Sequence, residues 1–181
     1  MAHFFDELNE EMKTFINKQH MFFVATAPKE GKINLSPKGF ESLKILNNNK
    51  ILWLNYFGSG NETAAHLLED DRMTLMFCAY DGDPLIIRVY ATVTVIQEKD
   101  DNWEQYCKEF EQLKGARQIF ELQIQSVNSS CGWGVPLYEY KGQRDKLTSY
   151  YENSTKEEHL KYMKKNNQLS FDGKETKLFE D

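Results

Sequence analysis

Two short stretches hold the residues whose types and spacing could do chemistry. The first is GSGNETAAHL (58–67), where Ser59, Asn61 and Thr63 alternate through a small-residue turn after the apolar run ILWLNYF (51–57). These are helix-capping residue types. They predict either a capped surface helix or an anion site, in which free backbone N–H groups, hydroxyls and the positive end of a helix dipole meet a phosphate. Glu62 counts against an anion unless its side chain turns away. The second stretch is INLSPKGFES (33–42), with Lys38 between Pro37 and Gly39 at a strand end. Lys38 and Ser36 read either as an exposed turn or as a point charge and a hydroxyl beside a phosphate or a polar ring edge. Arg88 interrupts the apolar strand LIIRVYATV, so it faces outward or finds a partner or ligand, because burying it unpaired is costly. In CGWGVP (131–136), Trp133 lies between two glycines, either in a packed loop or as an indole beside a planar ring.

No dinucleotide-binding Gly motif, P-loop, HExxH or Gly-x-Ser-x-Gly occurs. None of the four histidines has neighbours that suggest a triad or a metal set, and His66 reads as a surface or capping residue. No side chain stands out as an acid–base catalyst, so the catalytic residues stay unassigned and any chemistry falls to a cofactor.

Hydrophobic periodicity gives the frame for these residues. Phe5, Leu8, Met12, Phe15 and Ile16 predict an amphipathic helix over 4–18. Strands are expected at 21–27, 33–36, 43–46, 50–57, 72–80, 85–96 and 117–127, from their β-branched and aromatic content and the turns between them. Helices are expected at 61–69, at 102–114 with Trp103, Tyr106, Phe110 and Leu113 on one face, and at 157–168. Strands that follow one another in hairpins favour an antiparallel barrel with peripheral helices over a doubly wound sheet.

The chain has 181 residues, 40% hydrophobic and 28% charged, which fits one globular domain. A net charge of −6 argues against general nucleic-acid binding and against an anionic membrane surface. Three cysteines without close spacing suit free thiols in a reducing cytoplasm and argue against zinc. The acidic start, MAHFFDELNEEM, does not read as a signal peptide, and no apolar run approaches membrane-spanning length.

In their order, FFVATAPKEGKINLSPKGF, ILWLNYFGSGNETAAHLLEDDRMTLMF and LIIRVYATVTVI resemble the FMN-binding split-barrel family of pyridoxamine phosphate oxidase and its relatives. SCGWGVPLYEYKGQRDKL and NQLSFDGKET resemble the branch of oxidase-related proteins. The resemblance implies a mainly β fold, a six-stranded antiparallel split β-barrel over 1–181, with a helical and extended segment over 141–181. It implies a cytoplasmic homodimer with FMN at the subunit interface, acting on a small-molecule substrate. The cofactor-binding set it implies is Ser36, Lys38, Asn55, Tyr56, Ser59, Asn61, Thr63, Arg88 and Trp133. Two departures matter: Ser59-Gly60-Asn61 stands where the family enzyme has Ser-Arg-Lys, and the closing Arg-x-His has no counterpart. FMN binding is therefore expected, and oxidation of pyridoxamine phosphate itself is not. The alternatives are a flavin-storing module without turnover, or a binder of heme or a deazaflavin.

Overall fold

The computed structural model describes residues 2–180. Its sheet is built from β1 (His3–Phe5), β2 (Phe22–Thr26), β3 (Asn34–Lys38), β4 (Leu43–Asn47), β5 (Lys50–Tyr56), β6 (Arg72–Cys78), β7 (Ile86–Ile96) and β8 (Ala116–Ser130). All pairings are antiparallel, in the order β3-β2-β6-β7-β8-β5-β4, with β1 joined to β8. β3 and β4 are the two ends of this order, yet only residues 39–42 connect them. Such a link spans under about 20 Å. The sheet must therefore roll until its edges face each other, which makes a barrel with a seam beside Lys38. At the seam the chain reverses through Phe40 and Glu41, both left-handed at φ 61 and 52.

Alternation decides what fills the interior. Phe22, Val24, Trp53, Leu75, Val89 and Phe120 point inward with their cross-strand partners and form the main core. The Trp53 and Phe120 ring centroids are 4.8 Å apart. Burying each such side chain contributes roughly 1.5–3 kcal/mol. On the opposite face of β5 and β8, Leu52, Leu54 and Ile119 pack against Ile96 and Phe110 in a second cluster.

Among the described residues five helices accompany the sheet: α1 (Glu10–Lys18), α2 (Glu62–Leu67), α3 (Trp103–Cys107), α4 (Lys146–Glu152) and α5 (Lys156–Asn166). Several sequence expectations change. Among the described residues there are eight strands rather than six. The helix expected over 4–18 is two elements: Phe4 and Phe5 pair with β8, and α1 starts only where Asn9 Oδ1 accepts the Met12 N–H at 2.9 Å. The helix expected over 102–114 ends at Cys107 in short-range turns, where the Phe110 N–H bonds the Cys107 carbonyl at 3.1 Å. Phe110 is buried there and Leu113 is exposed. No helix among the described residues is long and apolar enough to cross a membrane.

Candidate functional site

Pairing carries the residues singled out in the sequence to one end of the barrel. In β3, Asn34, Ser36 and Lys38 stand opposite Thr26, Val24 and Phe22, all three buried, so they face inward along the seam. β5 ends there with Asn55 and Tyr56, and the following turn brings Ser59, Asn61 and Thr63 to the same place. These side chains share a cleft of about 290 Å³. Seven of the nine expected residues meet in it: Ser36, Lys38, Asn55, Tyr56, Ser59, Asn61 and Thr63.

Their individual roles differ from a simple capping turn. Asn61 is the residue before α2, but its side chain caps nothing and is buried without a partner on either polar atom. α2 is six residues long, so its dipole adds little and side chains must supply the field. Thr63 Oγ1 accepts from Asn34 Nδ2 at 3.4 Å. The Tyr56 hydroxyl donates to the Gln112 carbonyl oxygen at 2.9 Å, which leaves the cleft its ring. Ser59 is exposed at the mouth.

Arg117 is the residue the sequence does not single out. The ladder between β5 and β8 slips between Asn55 and Tyr56, pairing Asn55 with Gln118 and Tyr56 with Ala116. Arg117 is the unpaired extra residue of this bulge, and bulges re-aim side chains. Its side chain enters the cleft, where Nη1 donates to the Gly60 carbonyl oxygen at 3.0 Å and Nε has no partner. Burial brings its pKa down to about 10, against the pull of Tyr151 and Glu62. Lys38 lies across from it with its ammonium 5.2 Å from the Trp53 ring centroid. Burial, and then repulsion from Arg117, lower its pKa to about 8, and Glu62 pulls the other way. Glu62 stays at the turn, its carboxylate against Gly60 and its Oε1 accepting the Phe171 N–H at 3.3 Å.

Two cations thus share a desolvated site with one carboxylate. Around them lie the buried side-chain atoms left without hydrogen bonds among the described residues: on Ser36, Asn55, Asn61, Arg117, Gln118 and Asn167. The first four line the cleft, Gln118 pairs with Asn55 across the ladder, and Asn167 donates to the Gly58 carbonyl oxygen at 2.9 Å. Each orphaned group costs roughly 1–3 kcal/mol, so their concentration marks a place where a polar ligand supplies the missing partners. Two cations against one carboxylate make the cleft suited to an anion.

Lys38 also lines a larger chamber of about 900 Å³ on the other side of the seam. Phe23, Pro37 and Met76 form its floor, and a loop carrying Val135, Tyr138 and Tyr140 covers it. That loop is pinned by Tyr140 stacked on His20, centroids 3.6 Å apart.

Arg88 and Trp133 are not among the residues lining the cleft. Arg88 Nη1 donates to Ser130 Oγ at 3.2 Å on the outer face, in the row that also holds Phe23 and Met76. Trp133 is 84% exposed. Contrary to the sequence reading, His66 is buried, with Nδ1 3.0 Å from the Thr26 hydroxyl, and burial lowers its pKa.

A rolled antiparallel barrel whose seam holds a cleft with Lys38, Arg117 and Glu62 has the form of a split barrel. The sequence model of pyridoxamine 5'-phosphate oxidase matches residues 8–131, and the chain belongs to that family. The pyridoxamine 5'-phosphate oxidase family protein ustO of Aspergillus flavus is 39% identical over 144 residues, which cover 77% of this chain and 58% of that protein. The chain therefore spans little more than half of that relative. Among solved structures, a Lactobacillus delbrueckii protein provisionally described as a pyridoxamine 5'-phosphate oxidase aligns with a TM-score of 0.55 and 21% identity, over 68% of this chain and 94% of that one. An FMN-binding protein from Syntrophomonas wolfei aligns with a TM-score of 0.50 and 16% identity, over 63% and 80%. At such identities these two speak to the fold.

Proposed function

We propose that the chain is an FMN-binding oxidoreductase that acts on a small molecule as a cytoplasmic homodimer. The observation that carries the reading is the convergence of orphaned buried polar atoms and two cations on one cleft. In this reading Lys38 and Arg117 hold the FMN phosphate by charge-assisted hydrogen bonds, and Asn61, Ser59 and Thr63 supply further polar contacts. Asn55 and Gln118, opposite each other at the strand ends, give amide groups for the polar parts of the ligand. The adjoining chamber has the size and apolar floor that a planar ring system needs. The family match and the FMN-binding neighbour are consistent with this cofactor.

When bound, flavin supplies hydride or electron transfer at its ring. The chain's own part is to anchor the phosphate, keep water off the ring with Phe23, Pro37 and Met76, and hold a cation at Lys38 where the two cavities meet. Ile33, Leu35 and Trp133 are exposed large apolar side chains, of the kind that suits burial against a second copy. In such a dimer Trp133 would border the partner's ring, and Arg88 would face the interface.

Glu62 in the cleft and His20 at the chamber are each held in structural contacts, with the Phe171 N–H and the Tyr140 ring, which favours a non-turnover flavin carrier as the second reading. One experiment separates the two. The FMN-loaded protein is reduced anaerobically with NADPH or NADH and then exposed to oxygen or a quinone. Repeated bleaching and recovery of the flavin absorbance, with steady consumption of the reductant, is expected. A spectrum that no nicotinamide donor changes would leave the carrier, and a heme-type spectrum in the protein as purified would displace both.

A further inference from the structure

The anion turn is not held by the barrel alone. Residues beyond 131, outside the span that the family model matches, touch it at several points. Asn167 is fully buried and donates from Nδ2 to the Gly58 carbonyl oxygen at 2.9 Å. The Tyr151 hydroxyl donates to the Phe57 carbonyl oxygen, just before the turn, and its ring sits 2.6 Å from where a side chain on Gly115 would begin, which holds α4 against both residues. The Phe171 N–H holds Glu62 at 3.3 Å. The same segment is fastened to the barrel by the ion pairs Lys174–Glu69 at 2.6 Å and Lys32–Asp172 at 2.7 Å.

Asn167 is itself fixed on both sides. Its N–H donates to the Met163 carbonyl at 2.8 Å, and its carbonyl accepts the Thr176 hydroxyl at 2.7 Å. The turn it grips needs a grip. Two glycines flank Ser59, and glycine leaves the backbone the most freedom to lose when a ligand fixes it. A Cβ at Gly58 would meet nothing within 4 Å, so packing against the barrel does not define that residue. A site performs best when such freedom is removed before the ligand arrives.

We infer that Asn167 is a positioning residue for the anion-binding turn, and that the segment from α4 to Thr176 is a clamp that shapes the turn for a phosphomonoester. This rests on the reading of the cleft as the FMN phosphate site. Coupling of this kind is reciprocal: a phosphate in the cleft tightens the segment, as the segment tightens the turn.

The test uses the full chain with Asn167→Leu, which keeps the bulk and removes the donor. Affinities for FMN and riboflavin are measured side by side, and amide hydrogen exchange is followed over residues 57–62 in the ligand-free protein. FMN affinity is expected to fall about tenfold with riboflavin little changed, and exchange over 57–62 to quicken while the β-sheet stays protected. Equal losses for both flavins, or unchanged exchange over 57–62, would overturn the assignment. If Asn167→Leu does not fold, Thr176→Val removes only the hydroxyl that holds Asn167 and is read the same way. If the parent binds neither flavin, the proposed cofactor fails, and the exchange measurement alone still decides for or against the clamp.

Discussion

Arg117→Met is expected to lower FMN affinity roughly 100-fold, to leave riboflavin within about threefold, and to leave the ligand-free protein at least as stable as the parent. The opposite behaviour of affinity and stability follows from where the guanidinium lies. Arg117 is 8% exposed, bonds a single carbonyl, and keeps Nε without a partner. Replacing a poorly compensated buried charge by an apolar side chain of similar length is often neutral or stabilising, by about 1–4 kcal/mol. In the proposed complex the phosphate compensates the charge, so losing the guanidinium costs about 2–4 kcal/mol of binding. Flavin fluorescence quenching and a thermal melt check both halves. A lowered melting temperature with an unchanged ratio of FMN to riboflavin affinity would make Arg117 a structural residue.

Lys38 gives the second large effect, read through pH. With its pKa lowered to about 8 in the free protein, it is a cation below that pH and neutral above it. The FMN phosphate is a dianion throughout this range, since its second pKa is about 6. FMN affinity should therefore be level between about pH 7 and 8. It should then fall towards tenfold per pH unit, because binding must take up a proton, until the higher pKa of the bound state is reached. Riboflavin should show no such slope. Arg117, lowered to about 10, stays charged through most of this window. The sign for stability is the reverse. Between about pH 8 and the ordinary lysine value of 10.5 the unfolded chain holds a proton on this residue and the native protein does not, so its contribution to stability rises with pH. Lys38→Met should abolish the pH slope of FMN binding. Parallel slopes for parent and variant would assign the titration to another group.

Much of this site was legible in the sequence, because its residues lie in local patterns. The strand–turn–helix run from Ile51 to Leu67 brought out Ser59, Asn61 and Thr63, the Pro-Lys-Gly step placed Lys38 at a strand end, and Asn55 and Tyr56 came only with the family resemblance. Arg117 was not legible. It opens RQIFELQIQSV as a polar flank to an apolar strand, and only a slip in the β5–β8 ladder turns it inward. A bulge leaves little trace in hydrophobic alternation. Arg88 shows the converse: a charge within an apolar strand reads as an anomaly, yet the half-exposed face of β7 accommodates it beside Ser130. The eighth strand escaped because three residues, His3 to Phe5, are too few to show a period, and their pairing with β8 is a long-range event. His66 looked like a surface residue because its partner, Thr26, lies 40 positions away.

In the proposed function the seam of this barrel binds a phosphate-bearing flavin through Lys38 and Arg117. Parallel titration of the ligand-free protein with FMN and riboflavin at pH 7 tests it most directly. FMN binding in the micromolar range or tighter, at least about tenfold stronger than riboflavin, is the result it predicts. Equal affinity for the two, or no binding of either, would contradict it.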